Sequence, residues 1–143
     1  MRQALALALG MLPPALAFAT PALEAARMVG IEYRWGGRAP QTGFDCSGLV
    51  VHAFERAWGL ALPHSTLAQS KAGKAVGRGD LRPGDLIFYN TRRRPYSHVG
   101  IYLGEGRFVH APRRGAKVRI ESMRKPYWRK RFNGARRIDN DSH

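Results

Sequence analysis

The chain has 143 residues, of which 44% are hydrophobic, and it carries a formal net charge of +14. This length suits one domain, and the hydrophobic fraction is sufficient for a packed core. The positive charge predicts attraction to an anionic partner such as nucleic acid, a membrane surface or an acidic polymer. The single cysteine excludes an internal disulfide, so Cys46 is either a buried apolar side chain or a reactive group.

Residues 1–19 have the pattern of a signal peptide. A positive start is followed by a short apolar run over residues 4–12, and Ala17-Phe18-Ala19 fits the small-x-small cleavage rule. The run is too short to span a membrane, and a buried N-terminal helix is the alternative interpretation. We therefore predict an exported protein with a signal peptide over residues 1–19 and a single domain over residues 20–143.

The remaining chain predicts helices first and an antiparallel meander afterwards, which is typical of an α+β fold. A helix over residues 22–29 ends at Gly30. A second helix is capped by Asp45 and runs from Cys46 to about Trp58, because its apolar residues recur at helical spacing. The other predicted elements are a short helix near residues 65–72, a type II turn over 81–85, and strands over 86–89, 97–103, 107–111, 117–120 and 135–138.

Cys46 lies at the start of the second predicted helix, where its thiol could be activated as a nucleophile. The partial positive charge of a helix N-terminus lowers a thiol pKa, and a nearby histidine could form a thiolate–imidazolium pair. His98 could be that base, and His110 could hold its ring in one orientation. On the residues alone, an inert core cysteine and two structural histidines remain the alternative.

The two histidines share a face of the sheet only if the turn between their strands has the right length. A two-residue turn would place His110 opposite Ile101, on the wrong face. A three-residue turn, Gly104-Glu105-Gly106, pairs Gly100 with His110 and places the two rings diagonally on one face, with Gly106 in the left-handed position. We therefore predict the three-residue turn, and we expect Gly100 to leave room for the thiol.

Six short blocks of sequence occur in a fixed order along the chain. They are TyrArgTrpGlyGly (33–37), PheAspCysSerGlyLeuVal (44–50), LeuProHisSerThr (62–66), ProGlyAspLeuIlePhe (83–88), HisValGlyIleTyrLeuGly (98–104) and PheValHisAlaPro (108–112). Together they resemble the NlpC-type cell-wall peptidases, which are papain-like cysteine peptidases, and the resemblance covers roughly residues 21–138.

The resemblance implies a papain-like α+β fold in which the nucleophile helix packs on an antiparallel sheet. It implies hydrolysis of amide bonds in peptidoglycan stem peptides or cross-links, without a metal. We also expect a monomer that needs no other cofactor and is associated with the cell wall, in the periplasm or outside the cell. It assigns Cys46 as the nucleophile, His98 as the base and His110 as the orienting group. It also assigns contacts with substrate to Tyr33, Asp45 and Ser47, which match substrate-binding positions of related enzymes.

Two features depart from the family pattern. His64 stands where relatives often have arginine, which leaves its packing or substrate contact open. The stretch from Arg113 to Arg137 is strongly basic, with Glu121 as its only acid, and is either a solvated surface or a surface for anionic wall polymers, acidic peptides or lipid.

Several other functions remain open at this point. A nucleic-acid-binding module fits the charge, but we expect no nucleic-acid partner because the leader and the Cys/His blocks oppose it. A papain-like acyltransferase or lipid hydrolase, an inactive wall-binding domain and an exported antibacterial toxin also fit parts of the sequence.

Overall fold

The computed structural model describes residues 19–140, so the predicted signal peptide lies, except for Ala19, outside the described residues. None of the helices in this part of the chain is long and apolar enough to cross a membrane. The helices are α1 (Pro21–Ala26), α2 (Cys46–Trp58), α3 (Thr66–Gln69) and α4 (Pro126–Arg131), with a 3₁₀ turn over Arg78–Asp80. The strands are β1 (Arg38–Ala39), β2 (Gly43–Phe44), β3 (Lys74–Val76), β4 (Leu86–Tyr89), β5 (His98–Gly104), β6 (Arg107–His110), β7 (Arg119–Ser122) and β8 (Phe132–Arg137).

Helix α2 has the predicted bounds because both of its ends are capped. The Asp45 carboxylate accepts a hydrogen bond from the Gly48 N–H at 2.7 Å, as an N-cap side chain should. Gly59 ends the helix in the left-handed conformation, with φ of 66°. The apolar side of α2 is buried, which fixes the helix against the sheet.

The main sheet is antiparallel and has the strand order β3-β8-β4-β5-β6-β7. Its two faces carry separate apolar clusters. One cluster joins the sheet to α1 and α2 through Val50, Phe54, Phe88, Val99 and Ile101 among others. The other joins it to α4 through Ile87, Tyr89, Phe108, Trp128 and Ala135. The α+β fold class is thereby confirmed.

Some element boundaries differ from the prediction. Helix α1 ends at Ala26, before the predicted end at residue 29. The predicted strand over 117–120 is shifted to Arg119–Ser122, because the Val118 N–H donates instead to the Ile31 carbonyl at 2.8 Å. Strand β8 begins at residue 132 rather than 135, since its first residues already pair with β4.

The turn between β5 and β6 is shorter than predicted. Gly104 pairs with Arg107, so the loop contains only Glu105 and Gly106. Their φ angles are 53° and 74°, as a type I′ hairpin turn requires at both central positions. The prediction of a three-residue loop was wrong, while the left-handed position of Gly106 is confirmed.

A bulge in β5 compensates for the shorter turn. The register shifts between Tyr102 and Gly104, so that Leu103 is an extra residue without a partner. Beyond this bulge Ile101 pairs with Val109, which is the register that the longer turn would have given. His110 therefore falls on the predicted face, by a different local route.

Candidate active site

Cys46 is the first residue of α2 and is partly buried against the α2 side of the sheet. Burial raises the pKa of the Cys46 thiol to about 11, and the Asp45 carboxylate acts in the same direction. Hydrogen bonds from the backbone N–H groups of Val99 and Ser47 lower this pKa but do not offset the burial. The helix N-terminus was predicted to lower the thiol pKa, and burial outweighs it, so the resting thiol is protonated at neutral pH.

His98 is the first residue of β5 and is only 4% exposed. Its Nε2 atom lies 2.7 Å from Nδ1 of His110, and the Trp128 ring stacks on it with centroids 5.7 Å apart. Burial, followed by the charges of His110 and Arg92, places the pKa of His98 well below 6.5. The resting ring is therefore neutral, and its Nδ1 atom is the nitrogen left for another partner.

His110 is fully buried at the end of β6 and links His98 to a carboxylate. Its Nε2 atom lies 3.1 Å from Oε2 of Glu121. Burial lowers the pKa of His110, and the hydrogen bond to Glu121 raises it in part. The structure thus contains a continuous chain of hydrogen bonds from His98 through His110 to Glu121.

The thiol and the histidine rings belong to different layers of the fold. The rings lie on the face that Trp128 covers, whereas Cys46 packs in the layer of α2. The sulfur lies near the end of the sheet where β5 begins and β6 ends, because it contacts the N–H of Val99, the residue after His98.

The expected role of Gly100 was wrong in detail. A Cβ atom at this position would lie 2.7 Å from Cδ2 of Phe108. The space beside His98 is therefore filled by the Phe108 ring, which packs against His110 with centroids 4.7 Å apart. Gly100 makes room for the ring that supports His110, and not for the thiol.

The residues predicted to contact substrate surround the thiol. Burial raises the pKa of the Tyr33 hydroxyl, with the nearby Cys46 and Asp45 acting in the same direction. Asp45 uses both oxygens within the protein, since Gly36 N–H lies 2.9 Å from Oδ2 and His64 Nε2 lies 2.9 Å from Oδ1. Ser47 is buried, with its hydroxyl 3.5 Å from Asp45. Their contacts with substrate stay predictions, and His64 is in contact with Asp45.

A cleft of about 540 Å³ opens beside His98. Its wall contains four cationic side chains together with His98, Thr91, Pro112, Glu121, Tyr127 and Trp128. The cationic side chains are Arg92, Arg113, Arg119 and Lys125.

Glu121 was missed as a site residue by sequence reasoning. The strand was predicted to end at residue 120, so no register with β6 could be drawn. In the structure His110 pairs with Arg119, and Phe108 pairs with Glu121. Glu121 therefore shares a face with His110. The signal in the sequence was that Glu121 is the only acid in a long basic stretch and follows Arg119 by two residues.

Known proteins resemble this chain over most of its described length. Residues 30–137 match the NlpC/P60 family. The chain is 41% identical over 128 residues to a gamma-DL-glutamyl hydrolase of Bacillus subtilis, covering 89% of this chain and 31% of that one. It is 46% identical over 112 residues to a murein DD-endopeptidase and LD-carboxypeptidase, MepS, of Escherichia coli, covering 76% of this chain and 56% of that one.

A solved structure, the NlpC/P60 domain of the peptidoglycan hydrolase SagA, has the same fold. It superposes with a TM-score of 0.72 at 32% identity and covers 84% of this chain and 97% of that domain. The chain spans 31% to 56% of the length of the curated relatives named above. These names do not support nucleic-acid binding, acyl transfer, lipid hydrolysis or an inactive wall-binding role. The six sequence blocks, the α+β fold and these matches agree, and the chain belongs to the NlpC/P60 family.

Proposed function

We propose that this protein is a cysteine peptidase that hydrolyses amide bonds in the stem peptides or cross-links of peptidoglycan. The observation that carries the proposal is the placement of a thiol at the start of α2, against the first residues of β5, where His98 is held by His110. The names of the relatives, a murein endopeptidase and a peptidoglycan hydrolase, support the substrate class.

Cys46 is the proposed nucleophile and His98 the proposed base. Nδ1 of His98 takes the thiol proton as the sulfur attacks a peptide carbonyl, forming a tetrahedral intermediate. The resulting imidazolium gives its proton to the leaving amine, which leaves a thioester on Cys46. Water then attacks the thioester, again with His98 as base, releasing the carboxylic acid product and the free thiol. His110 holds the His98 ring in the required orientation.

The backbone at the start of α2 is the proposed oxyanion site. The first N–H groups of a helix have no partner within the helix, and the Cys46 N–H is adjacent to the reacting sulfur. Such a donor is worth about 3 kcal/mol in the transition state. Tyr33, Asp45 and Ser47 are the proposed substrate contacts, and Asp45 acts through its hold on Gly48 and Gly36.

The test is digestion of purified peptidoglycan, with the products identified by mass spectrometry. We expect Cys46→Ala and Cys46→Ser to lower the rate by roughly 10⁴-fold or more, because removal of one member of a catalytic unit disables the unit. His110→Ala should lower the rate less. His52→Gln is the matched control, since His52 lies on α2 away from the other histidines. Product formation by Cys46→Ser at the wild-type rate would disprove the mechanism.

The proposal extends to location and partners. A signal peptide over residues 1–19 would deliver a monomer to the periplasm or the outside, where it would associate with the cell wall. The cationic cleft beside His98 favours substrates that carry carboxylates, and the basic residues around it favour anionic wall polymers or a membrane surface.

A further inference from the structure

Glu121 is a buried carboxylate in contact with four donors. Its side chain is 7% exposed. Oε2 lies 3.1 Å from His110 Nε2 and accepts from Arg119 Nε at 2.8 Å. Oε1 accepts from Lys125 Nζ at 3.3 Å and from Trp128 Nε1 at 3.4 Å. Both oxygens are therefore used, and these contacts favour the ionised form.

The charge on Glu121 determines where protons lie further along the chain of hydrogen bonds. An ionised carboxylate can only accept, so Nε2 of His110 must carry a proton. Burial lowers the pKa of His110, and the neutral ring then has no proton on Nδ1. His98 must donate from Nε2 to that bare nitrogen across 2.7 Å. A neutral His98 then has a bare Nδ1.

We infer that Glu121 is a positioning residue that fixes the tautomers of His110 and His98 and thereby leaves Nδ1 of His98 free to accept the thiol proton. This inference rests on the proposed function, because it assigns Glu121 a task in the same reaction. The same carboxylate stabilises the imidazolium that forms on His98 during the reaction, through His110.

The surroundings of Glu121 support this task. Trp128 both donates to Glu121 and stacks on His98, so one residue of α4 fixes the two ends of the chain of hydrogen bonds. The hydrogen bonds from His110 and Arg119 hold the pKa of Glu121 far below its usual range, against the effect of burial. Glu121 therefore stays ionised at neutral pH.

The first test reads the tautomers of the wild-type protein by ¹⁵N NMR of the histidine rings, with His98 and His110 assigned through His98→Gln and His110→Gln. We expect both rings to carry their proton on Nε2 at neutral pH. In Glu121→Gln the amide can donate as well as accept, so the requirement for a proton on His110 Nε2 disappears and we expect a mixture of tautomers. A proton on Nδ1 of His98 in the wild type would overturn the inference.

The second test is kinetic. We expect Glu121→Gln to lower kcat by at least roughly 10²-fold with little change in KM, since the base is lost from its productive form. Glu121 raises the pKa of His98, so its loss should also move the acid limb of kcat/KM to lower pH. Glu121→Asp keeps the charge. It should restore most of the activity and return the acid limb of the kcat/KM pH profile to its wild-type position.

Glu105→Gln is the control, because it makes the same chemical change at a side chain that is 88% exposed. If Glu121→Gln lowers the melting temperature and the folded fraction but leaves the tautomers and the acid limb unchanged, Glu121 has only a structural role. If the wild type fails to cleave peptidoglycan, the proposed function fails while the NMR result still decides the proton arrangement.

Discussion

At the residue scale, Cys46 and His98 rest as two neutral groups. Burial raises the pKa of the thiol and lowers that of the imidazole, so it opposes both charges of an ion pair. In the proposed reaction, proton transfer would then accompany the attack of the sulfur on the substrate rather than precede it. The Val99 and Ser47 N–H groups partly stabilise the thiolate as it forms.

This neutral resting state can be tested by alkylation of the thiol. Cys46 is the single cysteine of the chain, so iodoacetamide modifies one site. The thiolate is the reactive form, and the thiol pKa is about 11. We therefore expect the alkylation rate of the free protein to rise about tenfold per pH unit from pH 7 to 9. A rate that is already constant below pH 7 would indicate a preformed thiolate–imidazolium pair instead.

Individual residues were predictable from the sequence to different degrees. Cys46 and His98 could be proposed as site residues because a single thiol at a capped helix and a histidine at a strand start are local patterns. Glu121 could not, because its role depends on the pairing of β6 with β7. That register exists only because residues 117 and 118 pair with the segment around Ile31.

At the element scale, the backbone of α2 at Gly48 packs closely against the backbone of the preceding loop at Gly37. A Cβ atom at Gly48 would overlap the carbonyl group of Gly37. The same carbonyl accepts a hydrogen bond from the Asp45 N–H at 3.0 Å. The first turn of α2, which carries Cys46, is therefore positioned by a contact that only glycine permits.

We expect Gly48→Ala to destabilise the protein by about 1–3 kcal/mol, as overpacking of a close contact does. The intrinsic preference of alanine for helices acts in the opposite direction and is smaller. Urea denaturation would measure the free energy of unfolding. Gly79→Ala is the matched control, since an added Cβ there meets no atom within 4 Å and should change the stability by less than about 0.5 kcal/mol. Equal stability of the two variants would contradict this account of Gly48.

The elements that the sequence predicted best are those with local signals. Helix α2 has an Asp cap, a glycine end and a continuous apolar stripe, and its bounds are confirmed. The bulge at Leu103 has no such signal, because the same residues are compatible with either turn length. Helix α4 is dominated by basic residues, and the burial of Trp128 against the sheet, which sets its place in the fold, has no local signal in the sequence.

At the scale of the whole molecule, two pairs of basic residues differ in their contacts. Arg136 and Arg137 tie β8 to its neighbours, since Arg137 contacts both oxygens of Asp85 at 2.9 and 2.8 Å and Arg136 donates to the Ser70 carbonyl. Arg113 and Arg114 are exposed and line a cavity with Tyr33. The second pair is therefore exposed to an anionic partner, whereas the first pair is used within the fold.

We expect binding of the inactive Cys46→Ala protein to purified cell walls to weaken as NaCl rises from 0.05 to 0.5 M, because the Debye length falls below about 8 Å above 0.15 M. Co-sedimentation would measure the bound fraction. In the same background, Arg113→Gln with Arg114→Gln should weaken binding at low salt. Lys71→Gln with Lys74→Gln removes the same charge from exposed positions elsewhere. Equal losses in both double variants would show that net charge, and not this surface, governs binding.

The position of β8 in the sheet constrains when the domain can assemble. This strand is the last one among residues 19–140, yet it lies between β3 and β4. Until residues 132–137 have been made, β3 lacks its partner and β4 has an open edge, which are hazards for aggregation. A chain whose residues 132–137 have not yet emerged from the ribosome therefore cannot close its sheet, and the order of synthesis itself delays completion of the fold.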